Sequence, residues 1–181
     1  MRKLLLPLMI SLVMLCGCAD TGEESFMQFM QQVSDSSQLS FDALVRAEYS
    51  DKTAEFRLEY TRDESGAVVE IIEPEIVAGI KARVTDNGTQ LEYDGAILDI
   101  GTLADSELSP MSALPLLVKT MREGHIDIVW AEDDMLAARL VPSDDLTVTL
   151  WLSPELTPQN AEITYKEKSV VFIEISDWKV S

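Results

Sequence analysis

The sequence predicts an α+β domain: a curved antiparallel sheet of about eleven strands that does not close, with an N-terminal helix and a helical insertion packed in its concave face. Three observations predict it. Apolar and polar residues alternate with a period of two through a long series of short runs. Two segments, one near the N-terminus and one after the sixth run, carry apolar residues at helical spacing instead. Turn sequences such as Asp94-Gly95 join the runs. Strands and helices that do not alternate along the chain exclude a doubly wound fold. A long meander with two helices buries both kinds of apolar face by curling the sheet around them, which leaves a groove or cavity between.

The elements follow in order. Thr21 and Glu24 have capping-box spacing, and Phe26, Phe29, Met30 and Val33 form one stripe, so a helix is expected over 22–34. The polar run Ser34 to Ser40 ends it. The period then becomes two: Val45, Ala47 and Tyr49; Ala54, Phe56, Leu58 and Tyr60 against Glu55, Arg57 and Glu59; then Ala67, Val69 and Ile71. Ile76, Ala78, Ile80, Ala82 and Val84 predict a further strand, and 89–93 and 96–100 two short ones. Asp86-Asn87-Gly88 and Asp94-Gly95 are hairpin turns, because both tolerate positive φ.

Met111, Leu114, Leu117, Val118 and Met121 mark the second helical stripe, with Lys119 and Arg122 suited to its C-terminal end and Gly124 to its cap. Pro115 disfavours a continuous helix, since proline is tolerated in the first turn and costly later. A turn or short helix near 110–113 and a main helix over 115–123 are therefore expected. Five strands follow: Ile126 to Glu132, Met135 to Val141, Leu146 to Leu152, Ala161 to Lys166 and Val170 to Ser176.

The N-terminus carries the sharpest signal. Arg2 and Lys3 precede an apolar run from Leu4 to Leu15, and Leu15-Cys16-Gly17-Cys18 closes it. The run is short for a membrane span, which needs about 20 residues, and suits a secretory leader. The cysteine after two small residues is the pattern cut by lipoprotein signal peptidase. Residues 1–17 are thus expected to be a lipoprotein signal peptide, 18–22 a lipidated tether and 23–181 one domain. Cleavage removes Cys16 and acylation consumes Cys18, leaving a chain with neither thiol nor disulfide. A multiply acylated cysteine holds a protein to a membrane where a single chain would not.

Without the leader, 12 basic groups stand against 32 acidic ones, a net charge of −20. Phosphate backbones repel such a body, which excludes nucleic-acid binding and polybasic membrane attachment. Enzyme chemistry has little to work with. His125 is the sole histidine and lies at a helix-to-strand joint, with no nucleophile, base and orienting group around it. No histidine cluster or cysteine pair exists for a metal, and neither metal nor cofactor is expected. Glu132-Asp133-Asp134 and Asp144-Asp145 fall between strands, where acids belong in turns, and match no calcium loop.

Two stretches carry a resemblance. Pro74 precedes the run to Thr85, and Asp86-Asn87-Gly88 precedes Leu91-Glu92-Tyr93-Asp94; later come Leu150-Trp151-Leu152, Pro154, Pro158 to Ile163 and Asp177-Trp178. Over about 24–178 this layout resembles the bacterial lipoprotein localisation superfamily of LolA and LolB type, which includes mycobacterial lipid-binding lipoproteins and the periplasmic regulator RseB. The resemblance implies an unclosed barrel without catalysis. Carrier members have a basic, aromatic strand after the proline, where this chain has Glu75-Ile76-Val77-Ala78-Gly79. Arg46 and Arg57 are the candidates for the carrier arginine; by alternation both point outward.

Two functions remain. In one, a membrane-anchored extracytoplasmic lipoprotein binds lipid or lipoprotein acyl chains in an apolar cavity lined by Phe56, Leu58, Ile80, Val148 and Leu150, a pattern that filled core shares. In the other, a tethered adaptor binds an exported protein, as a related lipoprotein of spore-forming bacteria partners a cell-wall amidase; the acidic charge favours a basic partner. Trp151 is the candidate partner contact. It alternates out of phase with Val148, Leu150 and Leu152, and so faces the opposite side of the sheet. Trp130 and Trp178 serve equally as anchors or core.

Overall fold

A computed structural model describes residues 21–49, 52–85, 88–101 and 109–181. Helix α1 (Thr21–Asp35) leads into β1 (Leu39–Tyr49), β2 (Lys52–Asp63), β3 (Gly66–Glu73), β4 (Lys81–Thr85), β5 (Gly88–Tyr93) and β6 (Ala96–Gly101). Helix α2 (Pro110–Glu123) follows. The chain then runs through β7 (His125–Glu132), β8 (Met135–Ser143), β9 (Leu146–Leu152), β10 (Pro158–Tyr165) and β11 (Lys168–Val180). All strands form one sheet in the order β6-β5-β4-β3-β2-β1-β11-β10-β9-β8-β7. Two meanders thus run outward from the antiparallel β1–β11 pair, and β6 and β7 are left as edges.

Alternation sets the faces. Phe41, Ala43, Val45 and Ala47 of β1, Leu58 and Tyr60 of β2, and Val171, Ile173 and Ile175 of β11 are all buried on the concave side. Phe26, Phe29 and Val33 bring the α1 stripe onto this core, and Leu114, Leu117, Val118 and Met121 bring that of α2. Helix α2 packs on β1, β2, β3 and β8, and α1 on β7, β8 and α2. The register gathers the start of β1, the end of β11 and the β2–β3, β4–β5, β7–β8 and β9–β10 connections at one rim. Both ends of α1 lie there. Gly22 and Ser25 face Asp133 and Leu156 across a surface hollow, while the backbone N–H groups of Ser37 and Gln38 donate to the Ser181 carbonyl.

Three local readings need correction. The predicted strand from Ile76 is a 3₁₀ turn, Glu75–Val77, and β4 begins only at Lys81. Gly79 has φ +83 and Ile76 is 88% exposed, so the chain turns out of the sheet there and returns to β3 at Ile80, whose carbonyl accepts from Ile71 N. Pro115 does not split α2. The helix forgoes one backbone bond at the proline and holds by its reciprocal cap, in which Ser109 Oγ accepts from Ser112 N and Ser112 Oγ accepts from Ser109 N, and by its buried face.

Gly124 caps α2 as expected, its N–H donating to the Thr120 carbonyl, but without left-handed backbone. Its φ is −69, and glycine is required because a Cβ would stand 2.4 Å from the Thr120 carbonyl oxygen. Finally, β11 runs past Ser176 to Val180. Asp177 takes φ 52 and the pairing slips between Ser40 and Asp42, a bulge that returns Trp178 to the inner side. There Trp178 meets Phe41 at 5.3 Å and Phe29 at 6.3 Å between ring centroids. The Asp94-Gly95 turn is as expected, with both residues at positive φ. Asp86, Asn87, the Thr21 side chain and Cys18 lie outside the described residues.

Candidate functional site

The five candidate cavity residues divide into two groups. Leu58, Val148 and Leu150 are 0% exposed and belong to a core shared with both helices. Phe56 and Ile80 are half-buried at its border, beside Val84 and Leu91. Beyond them the sheet continues as a wing of β4, β5 and β6. Ala82 opposes Leu91 and Leu91 opposes Leu98, which sets Leu98 on the inner face, yet Leu98 is 62% exposed. Its neighbour Ile97, opposite Glu92 on the outer face, is 66% exposed. An edge strand with apolar side chains bare on both faces and, among the described residues, no strand paired along its outer side is a surface open to cover.

The interior also holds polar groups that alternation can reveal and that the apolar pattern hides. Arg62 continues the inward phase of Leu58 and Tyr60, and Arg122 flanks the α2 stripe. Arg122 Nη2 donates to the Ser34 carbonyl at 3.0 Å, tying α2 to the last turn of α1. The Nη1 atoms of Arg62 and Arg122 are buried without an acceptor among the described residues. Both guanidiniums act on Tyr60. Burial dominates nonetheless and pushes the Tyr60 hydroxyl up to about 12, with the two arginines pulling the other way. The phenol is a neutral hydroxyl at physiological pH.

Outside, Arg46 pairs with Glu55 at 3.2 Å and Arg57 with Glu73 at 3.5 Å, both on the solvated face. Neither reaches the interior. His125 is exposed at the start of β7. Trp151 does face the outer side, half-buried. Trp130 and Trp151 flank Ala137, which is 0% exposed, and both indole N–H groups donate to Glu132 Oε2, at 2.9 and 3.1 Å. These two bonds, that of Trp130 first, hold the Glu132 carboxyl below its ordinary range. Asp133 and Asp134 form the β7–β8 turn at positive φ.

No family model matches this chain, and no curated protein does. Solved structures do match. A DUF1329 family protein from Desulfovibrio piger superposes with a TM-score of 0.50 at 12% identity, covering 89% of this chain and 92% of its own. An uncharacterized conserved protein from Thermus thermophilus gives 0.50 at 9% identity over 88% of this chain and 87% of its own. A LolA superfamily protein from Nitrosomonas europaea aligns over 87% of this chain and 93% of its own, with 13% identity and a TM-score of 0.48. Likeness at these identities is likeness of fold: the open eleven-stranded sheet wrapped on two helices is an arrangement this chain shares with the Desulfovibrio piger and Thermus thermophilus proteins.

Proposed function

We propose that this protein is a lipid-anchored extracytoplasmic lipoprotein that performs no catalysis and acts as a tethered adaptor, capturing an extended segment of another exported protein along the β6 edge. The observation that carries the reading is the pair Ile97 and Leu98, exposed on opposite faces of one edge strand. A lipid tail covers one face. An added strand takes up the free backbone groups and its side chains cover both. A net charge of −20 behind the leader favours a segment rich in lysine and arginine. Cys18 precedes Thr21 by three residues, a reach of about 10 Å when extended, so the anchor would hold the domain close to the bilayer.

A second reading has its own support. Phe56, Ile80, Val84 and Leu91 lead along the inner face to Leu98, and an acyl chain lying there would gain about 0.8 kcal/mol per buried methylene. Gentle detergent extraction followed by native mass spectrometry separates the two. Expected is a lipid-free chain carrying a second polypeptide, lost in the Ile97→Ser/Leu98→Ser variant. Stoichiometric co-purifying lipid, with no polypeptide, would replace the first reading by the second. Cys18→Ala should release the protein from the membrane fraction, and retention there would overturn the anchor.

A further inference from the structure

We propose that Trp130, Trp151 and Glu132, at the rim that holds the start of α1, form a seat for the ammonium group of a zwitterionic phospholipid headgroup. All three side chains stand on the outer face of the sheet. Trp130 opposes Ala137 and Ala137 opposes Trp151, so the indoles come from the strands on either side of β8. Both indole N–H groups are spent on Glu132 Oε2, and Ala137 between them points outward yet is 0% exposed. The half-buried rings therefore lie over Ala137 and leave their other faces to solvent.

The surroundings select a cation. Glu132 accepts both indole bonds at Oε2, and its Oε1 accepts none among the described residues. The same carboxylate lines a hollow of about 450 Å³ with Asp133, Asp134, Met135, Pro154 and Leu156, and no base lines it among the described residues. The ion pairs among those residues place Arg46, Arg57, Lys81 and Arg139 on other acids, so none cancels these three charges. Nor do the three carboxylates form a group that could hold a metal ion. An indole face is negative too, and cation–π attraction acts out to about 6 Å from a ring centre. An ammonium carried on carbon meets a charge partner, two ring faces and an apolar flank together.

Position picks the source of that ammonium. Gly22 and Ser25 of α1 border the same hollow, and Cys18 precedes Thr21 by three residues, a reach of about 10 Å when extended. The seat rests on the proposed Cys18 anchor, which would hold this rim at a bilayer surface. Indoles suit that depth, having an apolar body and a polar edge. A net charge of −20 behind the leader repels anionic lipid, whereas a zwitterionic headgroup presents its ammonium outermost, ahead of its phosphate. The tether alone leaves the domain free to turn on the membrane. A headgroup held at Glu132 would fix which rim faces it.

The test uses the full, acylated chain in two kinds of vesicle. Each is half phosphatidylglycerol; the other half is phosphatidylethanolamine in one and an uncharged glycosyl diacylglycerol in the other, so the net charge is the same and the ammonium is not. Flotation reads the anchor, and amide exchange at the β7–β8 turn reads the seat. The chain should float with both, and the turn should exchange about threefold more slowly, or less, with phosphatidylethanolamine. Glu132→Gln, whose amide oxygen still accepts from the indoles, should abolish that difference and still float. Asp144→Asn/Asp145→Asn, which removes two charges at the β8–β9 connection, should leave the difference intact. A chain that floats but exchanges alike in both vesicles, or a Glu132→Gln chain that keeps the difference, overturns the seat alone. Loss of the difference in Asp144→Asn/Asp145→Asn makes it an effect of net charge and overturns the seat equally. A chain that floats with neither overturns the anchor, and the seat with it.

Discussion

The half of the sheet that the helices cover and the wing they leave bare are written in the same alternating code. Leu150 on β9 and Leu98 on β6 both point to the concave side, the first 0% exposed and the second 62%. Alternation fixes which face a side chain takes, not what lies over that face. Cover comes from the two helices, α2 on β1, β2, β3 and β8 and α1 on β7 and β8, and neither is packed on β4, β5 or β6 to the same extent. The two regions should therefore answer mutation differently. Leu150→Ala leaves a cavity in packed core and should cost about 2–5 kcal/mol in urea unfolding, whereas Leu98→Ala should stay within about 0.5 kcal/mol. Equal losses would mean that the wing is as well covered as the core.

A second difference lies in what each region does with polar groups. The wing meets water, but Tyr60 is buried between the sheet and α2, and its hydroxyl is pushed up to about 12. The sign follows from linkage. The folded state holds its proton more tightly than the unfolded chain, so the Tyr60 contribution is complete below pH 10 and declines as pH rises from 10 to about 12. The loss over that window is on the order of 2–3 kcal/mol. Tyr60→Phe should flatten this part of the alkaline unfolding profile relative to the unmutated chain. Profiles of the same slope would show the phenol to be open to solvent.

Much of this was legible in the residues, and the failures share a cause. The stripes of α1 and α2, the eleven strands and the Asp94-Gly95 turn follow from local periods and local φ preference. Ile76 to Ile80 alternate as well as any strand, yet the chain turns through Glu75–Val77 and meets β3 only at Gly79 and Ile80, which bond to Ile71. The strand read as ending at Ser176 runs on to Val180, and one extra residue, Asp177, inverts the phase so that Trp178 faces inward. Arg62 was visible in principle, because it keeps step with Leu58 and Tyr60; an apolar template discards a charged residue at an inward position. The division of Leu58, Val148 and Leu150 from Phe56 and Ile80 was not visible, since it depends on where α2 lands.

That landing can be loosened without touching the core. Ser109 caps α2 where it enters the concave face, and Ser109→Ala removes the acceptor for the Ser112 N–H, at 3.1 Å. The expected cost is about 1 kcal/mol. Amide exchange should quicken in the first turn of α2, while β1 and β11 keep their protection. If exchange in the β1–β11 pair rose by the same factor, helix and sheet would open as a single unit and the covered half would have no separable lid.

The smallest expected effect on stability carries the largest one on binding. Ile97 and Leu98 are already largely in water, so serine at both positions removes little buried apolar surface and should move the urea midpoint by no more than about 0.5 kcal/mol. The exposed β6 edge, like that of β7, should still exchange its amides faster than the inner ladders, because among the described residues it pairs on one side only. An added strand changes both properties at once: it protects the β6 amides and it needs the two apolar side chains. Exchange measured with and without the co-purified polypeptide therefore discriminates. Protection confined to β6, and abolished in Ile97→Ser/Leu98→Ser, is the signature of strand addition; protection centred on Trp130 and Trp151 instead would move the docking surface to the opposite edge and leave the wing without a partner.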